Sequence, residues 1–176
     1  MKILLVTGMP GAGKEELLNV ARSMDIPFLR MGDIVREFHQ TSGAAEQGLS
    51  VGQVANGERE KHGKDIWAKR AIERMSGDIF LVDGCRSLDE VQSYRRLSKE
   101  VYIIGVHAPR MIRYDRLVQR GREDAPKNIE EFDERDNREL GWGLGNVIAL
   151  SDILIVNNSD LDSFRAKVRD ELEALR

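Results

Sequence analysis

The stretch Gly8-Met9-Pro10-Gly11-Ala12-Gly13-Lys14 lies between an apolar run, Lys2–Thr7, and a helical pattern, Lys14–Met24. Its spacing is G-x-x-x-x-G-K, the pattern of a loop that binds the phosphates of a nucleotide. The glycines let successive backbone N–H groups point into one concavity, and the following helix adds its positive N-terminal end. Lys14 would contact the β- and γ-phosphates. The sequence therefore predicts a strand, an ATP-binding loop at residues 8–14 and a helix, in that order.

The residue after Lys14 departs from the usual pattern. Ser or Thr is common there because its hydroxyl binds Mg²⁺, whereas this chain has Glu15. A carboxylate could bind Mg²⁺ directly or through water, since hard cations take oxygen ligands. It could equally repel phosphate, or point away and favour the N-terminus of the helix. Glu15 is therefore a candidate nucleotide contact and metal ligand, with these alternatives open.

Short apolar runs alternate with helical patterns along the rest of the chain. Four more strands are predicted, at Pro27–Arg30, Ile79–Asp83, Val101–His107 and Asp152–Val156. Strands that are apolar on both faces and alternate with helices indicate a parallel sheet covered on both sides. We therefore expect a P-loop NTPase fold, three-layer α/β/α with a five-stranded parallel sheet, in one domain over residues 1–176. The last helix is expected to take Ser159 as its N-cap.

Composition limits the classes of function. The 176 residues carry a net charge of −3, which argues against broad nucleic-acid binding. Cys85 is the single cysteine, so no intrachain disulfide can form, as suits a reducing compartment. No apolar run approaches the ~18 residues of a membrane span. We expect a cytoplasmic protein with a small-molecule partner and without nucleic-acid or membrane partners, while the oligomeric state stays open.

Two residues near the end of the third predicted strand are candidates for the site. Asp83 ends the apolar run Ile79–Asp83, where P-loop proteins place the acid that organises Mg²⁺. Arg86 follows closely and can reach a phosphate with its fork of donors. Because ligands of parallel sheets bind beyond the carboxyl ends of the strands, both residues are expected near the loop at 8–14.

Three further segments resemble those of adenylate kinases. Met31-Gly32-Asp33-Ile34-Val35-Arg36 is similar to T-G-D-x-x-R, and Val82-Asp83-Gly84-Cys85-Arg86 is similar to D-G-F-P-R. The stretch from Arg116 to Asp124 resembles R-L…R-G-R-x-D-D, which enters the lid of nucleoside monophosphate kinases. These segments occur in the same order as in those enzymes. Over most of its length, the chain therefore resembles the adenylate kinase-like P-loop superfamily. It looks closest to an archaeal family of adenylate-kinase-related proteins.

The resemblance implies roles for individual residues. The acceptor would be bound by Gly32, Asp33 and Arg36 of a helical acceptor-binding segment at 31–76. Arg86 would also bind it, and Arg36 and Arg86 would contact its phosphate. A short lid region at 120–138 would bring catalytic arginines to the transferred group beside Lys14 and Arg86, namely Arg120, Arg122, Arg135 and Arg138. Asn157 would lie beside the adenine. Arg110 and Arg113 are expected on the surface.

Two segments are not explained by the resemblance. Residues 48–70 contain Glu58, Arg59, His62 and Trp67, which would either line an acceptor pocket or belong to an amphipathic surface helix with a buried tryptophan. The glycine-rich stretch Gly141–Asn146 is expected to be a structural turn.

The leading expectation for function is an ATP-dependent phosphotransferase that uses Mg²⁺. It would move the γ-phosphoryl group to a small phosphorylated acceptor, as nucleoside monophosphate kinases do. Dephospho-CoA kinase is an alternative, because Ser151–Asn157 resembles the late A-D-x-x-I-x-N segment of those enzymes; Asp33 would then be the base. A P-loop ATPase that acts as a nucleotide-dependent switch is a third candidate, favoured by Glu15.

Overall fold

The computed structural model describes residues 1–121 and 125–176 and shows a five-stranded parallel sheet between helices. The strands are β1 (Lys2–Thr7), β2 (Phe28–Arg30), β3 (Ile79–Asp83), β4 (Val101–His107) and β5 (Ile153–Val156). The described helices are α1 (Lys14–Ser23), α2 (Met31–Thr41), α3 (Val51–His62), α4 (Ile66–Ile72), α5 (Leu88–Leu97), α6 (Arg110–Arg120), α7 (Ile129–Gly141), α8 (Leu144–Ala149) and α9 (Leu161–Leu175). The predicted fold class is confirmed.

The order of the strands, β2-β3-β1-β4-β5, positions the site. β1 lies at the centre, where Val6 pairs with Asp83 of β3 and with Ile104 of β4. On the other side of β3, Arg30 pairs with Asp83. Because the strands run parallel, the loop after β1 and the ends of β2 and β3 meet at one edge of the sheet.

Two hydrophobic cores cover the two faces of the sheet, as the alternation within β1 shows. Ile3 and Leu5 point into one core, which also contains the fully buried Trp67. Leu4 and Val6 point into the other core, which is completed by helices α1 and α9. Side chains of a strand alternate between faces, so a strand buried on both faces is apolar throughout.

The segment between β2 and β3 forms three of the described helices, α2, α3 and α4. α2 begins at Met31, directly after β2. The Trp67 indole N–H donates to the carbonyl of Ala55 at 3.2 Å, which joins α4 to α3. Trp67 is buried, which agrees for this residue with the second of the two alternatives that the sequence left open.

The expected N-cap of the last helix is wrong by one residue. Asp160 caps α9, and its Oδ1 accepts a hydrogen bond from the backbone N–H of Ser163 at 2.9 Å. The helix begins at Leu161, so the carboxylate of Asp160, rather than Ser159, is in position to accept that bond. Within the described residues, no helix is both long and apolar enough to cross a membrane.

Candidate functional site

The loop at residues 8–14 needs glycine at specific positions. Gly8 and Gly13 have φ values of 154° and 112°, which side chains rarely adopt. A Cβ on Gly8 would lie 2.4 Å from the carbonyl oxygen of Val106, and a Cβ on Gly13 would lie 2.2 Å from Nδ2 of Asn157. The loop is therefore enclosed by β4 and by the residue after β5, and it has no room for larger residues at these two positions.

A cleft of about 400 Å³ opens beside this loop, within the range of small-molecule sites. It brings together most of the predicted site residues. Those that line it are Gly8, Pro10, Gly11, Gly13, Lys14, Glu15, Asp83, Arg86, Arg120 and Arg135. The cleft is also lined by Arg116, Leu117 and Glu139, which the sequence did not place in the site.

Lys14 lies on the floor of the cleft. Its Nζ donates to the carbonyl oxygen of Gly8 at 2.5 Å and lies 3.4 Å from that of Met9. Burial lowers the pKa of the Lys14 ammonium, and the carboxylate of Asp83 opposes that effect. A phosphate anion in the loop would therefore be a favourable partner for this buried cation.

Asp83 presents the oxygen atoms that a divalent cation requires. Burial raises the pKa of this carboxyl, against the effect of Lys14, and its Oδ1 is buried with no hydrogen-bond partner among the described residues. Within the described residues, no group of three or more potential protein ligands surrounds a metal position. Mg²⁺ commonly takes one or two carboxylates and completes its shell with substrate phosphates and water, so Asp83 fits this ion.

Glu15 makes an ion pair that the sequence did not indicate. Its Oε1 accepts from Nη2 of Arg30 at 2.5 Å. Arg30 is the last residue of β2 and pairs in register with Asp83. The sequence carried only part of the signal: Arg30 ends a predicted strand, but the strand order of the fold is what places that strand next to Asp83. The carboxylate of Glu15 is therefore already bound by a guanidinium.

Asn157 supports the backbone of the loop. It is buried, and its Nδ2 donates to the carbonyl oxygen of Ala12 at 2.8 Å. Arg116 donates in turn to Oδ1 of Asn157 at 3.1 Å. These contacts join the end of β5 and α6 to the loop. Gly13, Arg116, Asn157 and Ser159 also line a smaller cavity of about 250 Å³ next to the cleft.

Arg113 was expected on the surface, and that expectation is wrong. It is 6% exposed, and its guanidinium donates to both carboxylate oxygens of Asp136 at 2.9 and 2.6 Å. Nη1 also donates to the carbonyl oxygen of Pro10 at 3.1 Å. α6 turns this residue toward the loop, and α7 supplies the carboxylate that compensates its charge. Arg110, by contrast, is exposed as expected and pairs with Asp133.

The predicted catalytic arginines have different surroundings. Arg120 and Arg135 line the cleft from α6 and α7, and Nε of Arg86 donates to Oε2 of Glu139 at 2.8 Å. Arg138 lies exposed on α7 and does not line the cleft. Arg122 belongs to residues 122–124, outside the described part of the chain.

The structure does not bring the predicted acceptor residues at the start of α2 into the cleft. Arg36 donates to Oδ1 of Asp33, and both side chains are more than half exposed. Gly32 lies next to this pair, with its Cβ position 3.5 Å from Nη1 of Arg36. Their roles in acceptor binding stay predictions.

Arg59, from the segment at 48–70 that the resemblance does not explain, packs on the same aromatic ring as Arg86. Arg59 of α3 and Arg86 place their guanidinium carbons 5.5 and 5.3 Å from the ring centroid of Trp142. Trp142 belongs to the turn between α7 and α8, where Gly143 has a φ of 98°. For Arg59 the sequence left open a role in an acceptor pocket, whereas Trp142 was not predicted as a site residue, because its proximity to the two arginines depends on tertiary packing.

The family of the chain follows from comparison with known proteins. The AAA domain family matches residues 7–133. UPF0200 protein Ta0179 of Thermoplasma acidophilum is 44% identical over 168 residues, which are 95% of this chain and 93% of that protein. The chain belongs to the UPF0200 family. A UPF0200 protein of Hyperthermus butylicus is 46% identical over 176 residues, with 98% and 94% of the two chains covered. The resemblance to an archaeal P-loop family is confirmed.

Solved structures show that the UPF0200 chain has the fold of P-loop kinases. TT1252 from Thermus thermophilus matches with a TM-score of 0.69 and 17% identity, over 99% of this chain and 98% of that one. A shikimate kinase from Bacteroides thetaiotaomicron matches with a TM-score of 0.64 and 14% identity, over 98% of each chain. A gluconokinase from Sinorhizobium meliloti 1021 matches with a TM-score of 0.63 and 13% identity, over 99% of this chain and 93% of that one. At these identities the likeness concerns the fold.

Proposed function

We propose that this protein is an ATP-dependent phosphotransferase that moves the γ-phosphoryl group of ATP to a small anionic acceptor. One observation carries the proposal. A single cleft holds the phosphate loop with Lys14 and, beside it, the guanidinium-bearing residues Arg86, Arg120 and Arg135. A site that only bound ATP would need the loop and Lys14, whereas transfer to an anion requires additional positive charge near the acceptor.

The chemistry needs little from the protein beyond positioning and charge. An oxygen of the acceptor attacks the γ-phosphorus, a new P–O bond forms, and the bond from the γ-phosphorus to the β–γ bridging oxygen breaks. ADP leaves with the electron pair of that bond. Lys14 stabilises the negative charge on the β- and γ-phosphates, and Arg120 and Arg135 stabilise the transferred group. An acceptor phosphate is already an anion, so no general base is required.

The cofactors of this reaction would be ATP and Mg²⁺. Asp83 would hold Mg²⁺, which neutralises charge on the phosphates and orients them. Because Oε1 of Glu15 is paired with Arg30, its contact with the metal would use Oε2 or need that pair to open. The smaller cavity beside Asn157 is the place where the loop-bound nucleotide would extend its base. The cytoplasmic location and the absence of nucleic-acid and membrane partners stay predictions from composition.

A hydroxylated carboxylic acid is the second candidate acceptor. Shikimate and gluconate, the acceptors in the names of two structural neighbours, carry both groups, and a hydroxyl nucleophile requires a general base. The base suggested by the sequence for dephospho-CoA, Asp33, is exposed and paired with Arg36. We therefore place the phosphorylated acceptor first, as in nucleoside monophosphate kinases.

An acceptor screen tests the proposal. The protein is incubated with Mg²⁺ and ATP labelled in the γ-phosphate, together with each nucleoside monophosphate, dephospho-CoA, shikimate or gluconate. We expect label in one acceptor, and we expect Lys14→Ala to abolish it, whereas Lys127→Ala, an exposed lysine outside the cleft, retains it. Label that appears only as inorganic phosphate, with every acceptor, would contradict transfer and favour the nucleotide-dependent switch.

A further inference from the structure

The turn between α7 and α8 is held against the residues that follow β3. The Cβ position of Gly143 lies 3.6 Å from the carbonyl oxygen of Arg86 and 3.9 Å from Cα of Ser87. The φ of 98° favours glycine there, whereas the two distances are those of ordinary van der Waals contacts. As a result the half-buried Trp142 is fixed beside the guanidinium groups of Arg59 and Arg86. The turn therefore does more than connect two helices.

Arg59 is largely buried without close hydrogen bonds. Its side chain is 15% exposed, yet its described polar contacts are long, 3.5 Å from Nη1 to Oδ1 of Asn56 and 3.7 Å from Nη2 to Oε1 of Glu90. Oε1 of Glu90 is itself buried and has no hydrogen-bond partner among the described residues. A buried guanidinium is costly unless its donors are satisfied, so this group is suited to receive a further anionic partner.

Arg86 packs on the same tryptophan ring as Arg59. Its bond to Glu139 uses Nε and not the two Nη atoms. Arg86 also lines the cleft that contains Lys14 and Asp83. An anion bound by the guanidinium of Arg86 at this cleft would therefore share the cleft with the phosphate loop.

We propose that Arg59, Arg86 and Trp142 form an anion subsite that binds the phosphate or carboxylate group of the acceptor. This inference rests on the proposed function and adds to it a residue of α3 and a residue of the glycine turn. Two guanidinium groups give charge-assisted, geometrically specific bonds to either anion. Both guanidinium groups pack on the ring of Trp142, which offers each of them a cation–π contact.

Binding measurements test the subsite without relying on turnover. The donor loop is filled with adenylyl imidodiphosphate and Mg²⁺, and inorganic phosphate or malonate is titrated while tryptophan fluorescence is recorded, with a parallel titration that omits the nucleotide. The chain has two tryptophans; Trp67 is fully buried, so we expect the signal from Trp142, and Trp142→Phe should abolish it. The two anions distinguish a phosphorylated acceptor from a carboxylic acid.

Arg59→Gln is expected to weaken binding of the responding anion at least about tenfold, because a charge-assisted bond is lost. Lys61→Gln removes an exposed charge from the same helix and should change the affinity less than about twofold. Both variants should bind the ATP analogue as the wild type does. No response to either anion, an equal effect of the two substitutions, or an equal loss of analogue binding in Arg59→Gln would overturn the subsite.

The subsite and the proposed function fail in different ways. If the anion binds through Arg59 and no acceptor is ever labelled from ATP, the phosphotransferase proposal fails and the subsite stands. If an acceptor is labelled and Arg59→Gln keeps the wild-type KM for it, the subsite fails and the phosphotransferase stands.

Discussion

Two arginines, the buried Arg113 of α6 and the largely buried Arg59 of α3, are held in opposite ways. Arg113 supports the phosphate loop and has three hydrogen bonds of 2.6 to 3.1 Å, to Asp136 and Pro10. Arg59 lies in the anion subsite, and its described polar contacts are 3.5 and 3.7 Å long. A cation whose partners all come from the protein stabilises a backbone conformation, whereas a cation with weak partners is prepared for a ligand. The donor side, which is the phosphate loop, is therefore held in place by contacts within the protein. The acceptor side, which is the anion subsite, has a guanidinium group without a close anionic partner.

Breaking the Arg113–Asp136 pair should have the largest effect on stability. Asp136→Ala leaves a buried guanidinium without its carboxylate, which costs roughly 3–5 kcal/mol of unfolding free energy. Asp133→Ala breaks the Arg110 pair between the same two helices, but both of those side chains are nearly half exposed, so about 0–1 kcal/mol is expected. Urea denaturation compares the two variants, and equal losses would contradict the distinction between Arg113 and Arg110.

Gly13→Ala should damage the donor side at its closest contact. The new Cβ would overlap Asn157 and occupy a φ of 112°, so a loss of about 10- to 100-fold in ATP affinity follows from strain of about 1–3 kcal/mol. Gly48→Ala is the control, because Gly48 also has a positive φ, 73°, but no atom within 4 Å of its Cβ position. It should reduce stability and leave ATP affinity unchanged, as measured by calorimetric titration.

Arg59→Met should affect stability far less than Asp136→Ala, although both remove one member of a buried pair. Oε2 of Glu90 keeps its bonds from the backbone N–H groups of Arg86 and Ser87, and the lost contacts are long. We expect a change in unfolding free energy of about 1 kcal/mol or less. A loss as large as that of Asp136→Ala would show that Arg59 is a structural cation, as Arg113 is.

The pH dependence of Glu90 gives the smallest predicted effect. Burial raises the pKa of this carboxyl above its ordinary 4.5, so the folded state holds the proton more tightly than the unfolded state. Its contribution to stability is complete below pH 4.5 and is lost as pH rises through the raised pKa. Glu90→Gln keeps a capping-box acceptor and cannot ionise.

Denaturation at a series of pH values tests this effect. From pH 4.5 upward the wild type should lose stability relative to the Glu90→Gln variant, and a difference that is independent of pH would contradict the burial of an ionisable Glu90.

The sequence predicted those parts of the fold and the site that depend on local patterns. Gly8–Lys14 were identified because the glycine pattern lies between an apolar run and a helical pattern. Asp83 was identified because it ends an apolar run typical of a strand. Arg113 was misjudged because the carbonyl that it contacts belongs to Pro10, 103 residues away. Arg30 was missed as a site residue for the same reason, since it pairs with Glu15 of another element. The choice between two roles for Arg59 stayed open in the sequence, since its packing on Trp142 is also a tertiary contact. Side chains of helices and strand ends acquire such roles only from tertiary packing.

A crossed binding measurement tests the difference between the two sides most directly. Asn157→Ala removes the support of the loop at Ala12, and Asn158→Ala, its exposed neighbour, is the control. We predict that Asn157→Ala weakens adenylyl imidodiphosphate at least about tenfold and leaves anion binding unchanged, and that Arg59→Gln does the reverse. If both substitutions weakened the same ligand to the same degree, the division into a preformed donor side and a separate anion subsite would be wrong.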